Sequence, residues 1–298
     1  MVHNLGEIIP RDTSPDAVWL TEIAADGDSR DISLGEFHRS ADALARGLLA
    51  RGLVRGQAVG ILAGNRAEYL LAYFGIMRAG LVAVPINYKL LQATIDHIFK
   101  DAEIQFVLVD GDWRHLAGHM PAVGMDVAAE WQALLDPGAF TPLEMEAEAH
   151  ATILYTSGST GLPKGVPLTH GGYVWAANLM CDSLPPMTDK RVLVAAPLYH
   201  MNGLILSALS SMSGGHVVLM RRFSPIGYLQ AAAAHRCHVL TSVPTMIAMA
   251  VREPETIAGL DLSGVEKVIM GSAPVSEALF AMAEKILGLT QITTIDFV

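Results

Sequence analysis

The chain has 298 residues, of which 51% are hydrophobic and 17% charged, and its formal net charge is −10 at pH 7. That apolar share excludes wholesale disorder, and the length suggests about two domains. The acidic balance excludes broad binding to nucleic acid or anionic membranes, which needs clustered Lys and Arg, but leaves room for an anionic nucleotide held by local amides and one cation.

From Met1 to Asp12 no basic segment leads into an apolar run, so no signal peptide is expected. Ser33 and Glu36 form a capping-box pair, Leu34, Phe37, Ala41, Leu44 and Leu48 recur on one helical face, and Gly52 is a natural stop. A strand is predicted at Val59–Leu62, a helix at Glu68–Ala79, a strand at Val82–Val84, a helix at Leu90–Lys100 and a strand at Phe106–Val109. This alternation predicts crossover units on a parallel sheet. The most apolar stretch, Leu70 to Ile86, is interrupted by Arg78 and Gly80 and reads as a buried helix and strand rather than a membrane span. Cys181 and Cys237 are far apart and form no Cys-x-x-Cys pair, so neither a zinc site nor a disulfide framework is expected. A reducing, cytoplasmic setting and a soluble protein without an integral membrane segment follow.

The stretch Asp136–Ala149, with Pro137, Gly138 and Pro142 before Glu144, Glu146 and Glu148, reads as a surface connection. It places the division between residues 1–143 and 144–298. Strands are then predicted at Ala151–Tyr155, Arg191–Ala196, His216–Met220, His238–Ser242, Glu266–Met270 and Gln291–Ile295. Helices are predicted at Thr169–Met180, Gly203–Met212, Pro225–His235 and Ser276–Leu287. The class is α/β, as two doubly wound subdomains.

The segment Tyr155-Thr156-Ser157-Gly158-Ser159-Thr160-Gly161-Leu162-Pro163-Lys164-Gly165 is expected between a strand and a helix. Its glycines allow close backbone approach, the hydroxyls of Thr156, Ser157, Ser159 and Thr160 supply donors, and Lys164 supplies one mobile cation. A polyphosphate calls for such a set; a flexible Ser/Gly surface loop is the plain alternative. The ordinary P-loop does not fit, because Lys164 follows Pro163 rather than the second glycine and no hydroxyl comes after it.

The same segment resembles, at every position, the Thr-Ser-Gly-Ser/Thr-Thr-Gly-x-Pro-Lys-Gly signature of the adenylate-forming superfamily, which holds acyl- and aryl-CoA synthetases, luciferases and peptide-synthetase adenylation domains. Three further segments resemble family motifs in family order: Pro197-Leu198-Tyr199-His200, Ser242-Val243-Pro244-Thr245 and Gly271-Ser272-Ala273-Pro274. Each follows a predicted strand, where open α/β sheets bind ligands. The resemblance implies that Thr156, Ser157, Gly158, Ser159, Thr160, Gly161 and Lys164 hold the phosphates of ATP. It also implies that Gly271, Ser272, Ala273 and Pro274 lie against the adenine and the acyl group, and that Tyr199, His200, Val243 and Pro244 line the acid pocket. Lys164 and His200 are the catalytic candidates. His38, His97, His115, His119 and His235 lack metal-ligand spacing and receive no role.

The implied reaction joins a carboxylic acid, fatty or aromatic, to AMP with release of pyrophosphate, then passes the acyl group to coenzyme A. The family's Tyr-Gly-x-Thr-Glu motif, whose glutamate binds Mg2+, its ribose-binding aspartate and its C-terminal lysine are expected beyond Val298. The resemblance therefore covers the large N-terminal domain without the small C-terminal one, and implies that this stretch alone is catalytically incomplete. No metal ligand is expected within it. Two other readings stay open: an adenylation domain loading a carrier-protein thiol, and a non-catalytic nucleotide- or acyl-binding module or inert fragment. Oligomeric state is open, a homodimer included.

Overall fold

The structure, a computed structural model, describes residues 4–156, 161–183, 187–252, 254–287 and 292–295. In chain order come a 3-10 turn at Leu5–Glu7, then β1 (Val18–Ile23), β2 (Ser29–Ser33), α1 (Leu34–Ala50), β3 (Ala58–Leu62), α2 (Ala67–Arg78), β4 (Val82–Pro85), α3 (Gln92–Asp101) and β5 (Ile104–Val109). A second 3-10 segment at Gly111–Ala117 leads to β6 (Ala122–Gly124), α4 (Ala128–Leu134), β7 (His150–Thr156), β8 (Lys164–Thr169) and α5 (His170–Ser183). Then follow β9 (Arg191–Val194), α6 (Met201–Met212), β10 (His216–Met220), α7 (Pro225–Ala234), β11 (Val239–Ser242), α8 (Pro244–Ala250), α9 (Pro254–Ala258), β12 (Lys267–Gly271), α10 (Glu277–Leu287) and β13 (Ile292–Ile295). The chain divides into two compact units, Met1–Ala17 with Ser33–Leu184, and Val18–Ile32 with Pro185–Val298.

In the first unit the strand order is β6-β5-β3-β4-β7-β8. Every pair is parallel except β7 with β8. Ala58 and Leu62 of β3 face a core completed by Ile95, Ile98 and Phe99 of α3, while Val59 and Ile61 are buried on the opposite face. Burial of both faces is what a parallel sheet requires, and it explains the nearly unbroken apolar strands. Ser33 caps α1 by accepting from the Glu36 amide at 3.2 Å, and Gly52 ends it with φ +88. All twelve residues of α2 are buried, Arg78 included. The Arg78 guanidinium meets Asp42 at 2.9 Å and Glu7 at 2.7 Å, and its Nη2 donates to His38 Nδ1 at 2.7 Å. Burial, with Arg78 beside it, pushes the His38 imidazole down to about 4, so the ring stays neutral and accepts that bond.

In the second unit the order is β13-β12-β11-β9-β10-β1-β2. The run from β13 to β1 is parallel. Leu193, Val218, Leu240 and Val268 face a core with Tyr228, Leu229 and Ile247, and Val192, Val217 and Ile269 are buried on the other face. The Tyr228 hydroxyl donates to Thr241 O at 2.9 Å and ties α7 to β11.

Three expectations are corrected. The boundary at 143/144 coincides with neither break between the units, because the stretch Asp136–Ala149 packs within the first one: Leu143 N donates to Arg78 O at 3.1 Å, Leu143 O accepts from Asn4 Nδ2 at 2.9 Å and Met145 is buried. The second unit also takes the β1–β2 segment from far upstream, since Leu20 pairs with Val217. Finally, the sheet of the first unit is mixed, not parallel: the segment after the glycine-rich loop is a strand, β8, antiparallel to β7, and the loop joins a strand to a strand.

Candidate nucleotide-binding site

The glycine-rich loop closes the β7–β8 hairpin at the edge of the first unit's sheet. Thr156 ends β7, Lys164 begins β8, and the two stand opposite each other in register, both exposed. The hydroxyl and the ammonium thus flank the loop mouth. Gly161 has φ +94, a conformation that favours glycine. Ser157, Gly158, Ser159 and Thr160 lie outside the described residues. One step back, Tyr155 stands opposite Gly165 and its hydroxyl donates to Asp101 Oδ2 at 2.6 Å. Partial burial first, and the Asp101 carboxylate next, raise that phenol above its ordinary range. Beyond the hairpin, Thr169 Oγ1 accepts from Gly172 N at 3.1 Å and so starts α5. His170, fully buried, accepts from Leu5 N through Nδ1 at 2.9 Å, and its Nε2 has no partner among the described residues. Burial, then the nearby Arg55 charge, pushes its imidazole down to about 4.

The other three segments belong to the second unit and leave adjacent strands. β12, β11 and β9 are neighbours, with Ser242 opposite Met270 and Thr241 opposite Val194. After β9, His200 N donates to Pro197 O at 3.0 Å, closing a turn that presents buried Tyr199 and exposed His200, rings 4.7 Å apart. Gly203 is required behind this turn, because a Cβ there would lie 2.8 Å from Pro197 O and 2.9 Å from Ala196 O. After β11, Val243 is the cap of α8 and Pro244 its first residue, where proline's missing N–H costs nothing. After β12, Gly271 is buried, and Ser272, Ala273 and Pro274 are exposed. Ser272 has φ +70, a strained backbone for a residue with a side chain. Asn202, buried on α6, donates to Ser242 O at 3.5 Å; its Oδ1 has no partner among the described residues.

The structure thus brings Tyr199, His200, Val243, Pro244 and Gly271–Pro274 to one row of strand ends, and sets Thr156, Gly161 and Lys164 on the hairpin of the other unit. Residues 11–295 match the family described as AMP-binding enzyme. The chain belongs to that family. A feruloyl-CoA synthase from Amycolatopsis sp is 32% identical over 251 residues, 82% of this chain and 50% of that protein. The fatty acid–acyl-carrier-protein ligase ScoC from Streptomyces coeruleorubidus is 29% identical, covering 85% of this chain and 50% of its own length. Among solved structures, the inhibitor-bound N-terminal domain of FACL13 from Mycobacterium tuberculosis superposes with a TM-score of 0.87 at 25% identity, covering 97% of this chain and 75% of that one. ATP-bound MatB from Rhodopseudomonas palustris gives 0.85 at 27% identity, over 97% and 58%. The chain spans about half the length of the curated relatives it matches.

The AMP-binding family member described here therefore has the α/β fold of the N-terminal domain of acyl-CoA synthetases, and its relatives are acyl- and aryl-CoA ligases and an acyl-carrier-protein ligase. Among the described residues no group of three or more His, Cys, Asp or Glu side chains is arranged to hold a metal ion. No helix among them is long and apolar enough to cross a membrane. The sequence reading passed over Asp101 and gave Asn202, which follows the second motif, no role of its own. Asn202 carries a signal, an amide among the apolar residues of a buried helix; Asp101 carries one only as an acid at a helix C-terminus, where acids are disfavoured.

Proposed function

We propose that this chain supplies the nucleotide-binding region of an acid–thiol ligase that activates a fatty or aromatic carboxylic acid as its acyl adenylate and passes it to coenzyme A. The observation that carries the reading is the pairing of Thr156 with Lys164 at the mouth of the glycine-rich hairpin. A hydroxyl and a mobile ammonium flanking a loop rich in donors suit the β- and γ-phosphates of ATP. A carboxylate oxygen of the acid attacks the α-phosphorus, the bond to the bridging oxygen breaks, and pyrophosphate leaves with the charge that Lys164 compensates. The mixed anhydride then has AMP as its leaving group when a thiol attacks the acyl carbon. No protein nucleophile is needed; alignment and charge stabilisation supply the rate. Magnesium would share the pyrophosphate charge, but the described residues do not by themselves make a site for it. Tyr199, His200, Val243 and Pro244 form the acid side of the pocket, and Gly271–Pro274 the adenine side.

The half-length match to curated relatives supports a further part of the reading, that these 298 residues alone do not complete both half-reactions. The similarity to ScoC favours one alternative acceptor, a carrier-protein thiol. The test is acid-dependent ATP–pyrophosphate exchange over short, medium and long fatty acids and aromatic acids, with ATP binding measured on the chain itself. Lys164→Ala should weaken ATP binding by roughly tenfold or more, the value of a charge-assisted contact. Unchanged ATP binding by a folded Lys164→Ala variant would overturn the assignment.

A further inference from the structure

We propose that Asn202 is a specificity-determining residue of the acid site: its side-chain oxygen selects a carboxylic acid with a hydrogen-bond donor at the end remote from the carboxylate. This names the substrate class of the site in the function proposed above and rests on that reading. Asn202 lies in the first turn of α6, two residues after His200, and only 1% of it is exposed. Its amide nitrogen donates to Ser242 O at 3.5 Å, immediately before Val243 and Pro244. The side chain thus stands between the two segments assigned to the acid, and all of these residues belong to the second unit. Ile205 and Leu206, one turn along the helix, are buried and apolar.

An amide oxygen has two lone pairs to offer, and Asn202 Oδ1 accepts from nothing among the described residues. A buried acceptor left unpaired costs free energy, and an apolar side chain of the same size avoids that cost. A local rule broken at one spot needs a compensating gain. The neighbouring hydroxyl does not supply it, because Ser242 Oγ donates to Val243 O at 3.1 Å. Turning the amide over gives no relief, since Oδ1 would then face Ser242 O, acceptor against acceptor. The gain therefore comes from a ligand that brings a hydroxyl or an amine. Gly271–Pro274, after β12, form the adenine side, whereas Asn202 joins the exits of β9 and β11, so the donor belongs to the acid. Burial says which end of the acid carries it: the part that enters deepest reaches Oδ1, and the carboxylate is left to meet the α-phosphorus. A plain fatty or unsubstituted aromatic acid leaves the oxygen unpaired, and a site built around a buried acceptor discriminates against such an acid.

The experiment measures, by calorimetry, binding of ATP and of matched acids to the wild-type chain, Asn202→Leu, Asn202→Ala and Lys164→Ala. The pairs are para-hydroxycinnamate with cinnamate, para-hydroxybenzoate with benzoate, and ω-hydroxyoctanoate with octanoate; the methoxy analogues keep the oxygen but cannot donate. The wild-type chain should bind the hydroxylated member of at least one pair about tenfold tighter or more, the scale of one hydrogen bond to a buried acceptor. The methoxy analogue should bind no tighter than the plain acid, and the pair that responds tells ring from chain. Asn202→Leu should abolish the preference while ATP binding stays unchanged and the melting temperature does not fall, because leucine removes the unpaired oxygen. Asn202→Ala, which cannot overpack, gives the same reading should the leucine variant not fold. A wild-type chain that binds none of the acids or shows no preference in any pair, or a preference that survives in both variants, would overturn the role of Asn202. With ATP binding still weakened by Lys164→Ala, those outcomes leave the proposed function standing. A wild-type chain that binds no ATP would sink both.

Discussion

Lowering the pH should destabilise the first unit through His170, and the size of the effect follows from its surroundings. The ring is fully buried, Nδ1 accepts from Leu5 N at 2.9 Å and Nε2 faces no partner among the described residues. Protonation would end the bond to Leu5 and leave a charge buried near Arg55, which is why the imidazole sits at about 4 instead of the ordinary 6.5. Between those two values the unfolded chain binds the proton and the folded one does not. Stability from this group is therefore complete above pH 6.5 and is lost as the pH falls toward 4, by about 2 kcal/mol between pH 7 and pH 5. His38 contributes in the same direction, so the assay must isolate His170. His170→Asn does so: its amide oxygen can take the Nδ1 position and it cannot titrate. Urea denaturation at pH 7 and pH 5, followed by fluorescence of Trp113, Trp131 and Trp175 in the first unit, gives the two losses. The variant should start about 1–2 kcal/mol less stable from lost ring packing, yet lose about 2 kcal/mol less on acidification. Equal losses in the two proteins would refute the account.

Three other outcomes follow from particular contacts. Ser272→Gly should raise stability by up to about 1 kcal/mol by relieving the φ +70 backbone, and Ser272→Val should lower it by about 1–2 kcal/mol, both read from denaturant melts. Gly203→Ala should cost about 1–3 kcal/mol, because its Cβ meets two backbone carbonyls that cannot move without the Pro197–His200 turn; a melt at the wild-type midpoint would contradict that packing. Arg78→Ala should cost about 2–4 kcal/mol by leaving a gap in the buried α2 and taking a donor from Gly6 O and His38 Nδ1, while Asp42 keeps Arg11 at 2.9 Å, a loss large enough to appear as a shifted thermal transition.

What could be read from the sequence was local. The capping serine at 33, the stop at Gly52, Pro225 after Ser224 and the alternation of apolar strands with helices all act over a few residues, and each places its element. Motif order identified the family because the loop's chemistry needs its residue types in a fixed sequence. The misses are long-range. β1 and β2 carry a hairpin signal at Asp26-Gly27, with Gly27 at φ +94, but their membership in the second unit depends on pairing with β10, far down the chain. β8, with Gly165 and Pro167 inside it, is a poor strand by propensity and exists because β7 pairs with it. Arg78 looked like a break in an apolar stretch. Its partners, Glu7, Asp42 and His38, come from other elements, so its burial had no local signature.

The row of strand ends in the second unit explains how segments so distant in sequence can serve one ligand. Neighbouring strands lie about 4.8 Å apart, so the exits of β9, β11 and β12 span about 10 Å, the width of a nucleotide base with a small acid beside it. Each exit is steered by a separate backbone device: the Pro197–His200 turn backed by Gly203, proline at the start of α8, and the left-handed Ser272. The Asn202 amide reaches from the first of these to the end of β11. The directions of the exits are therefore set by main chain and by residues behind the surface, not by the side chains that face outward. In the proposed enzyme this separates two demands. Ala273, exposed at the exit of β12, can change with the acid, whereas Tyr199 is buried, Val243 packs against the core of the unit, and Gly203 and Pro244 are constrained by the frame whatever the acid is.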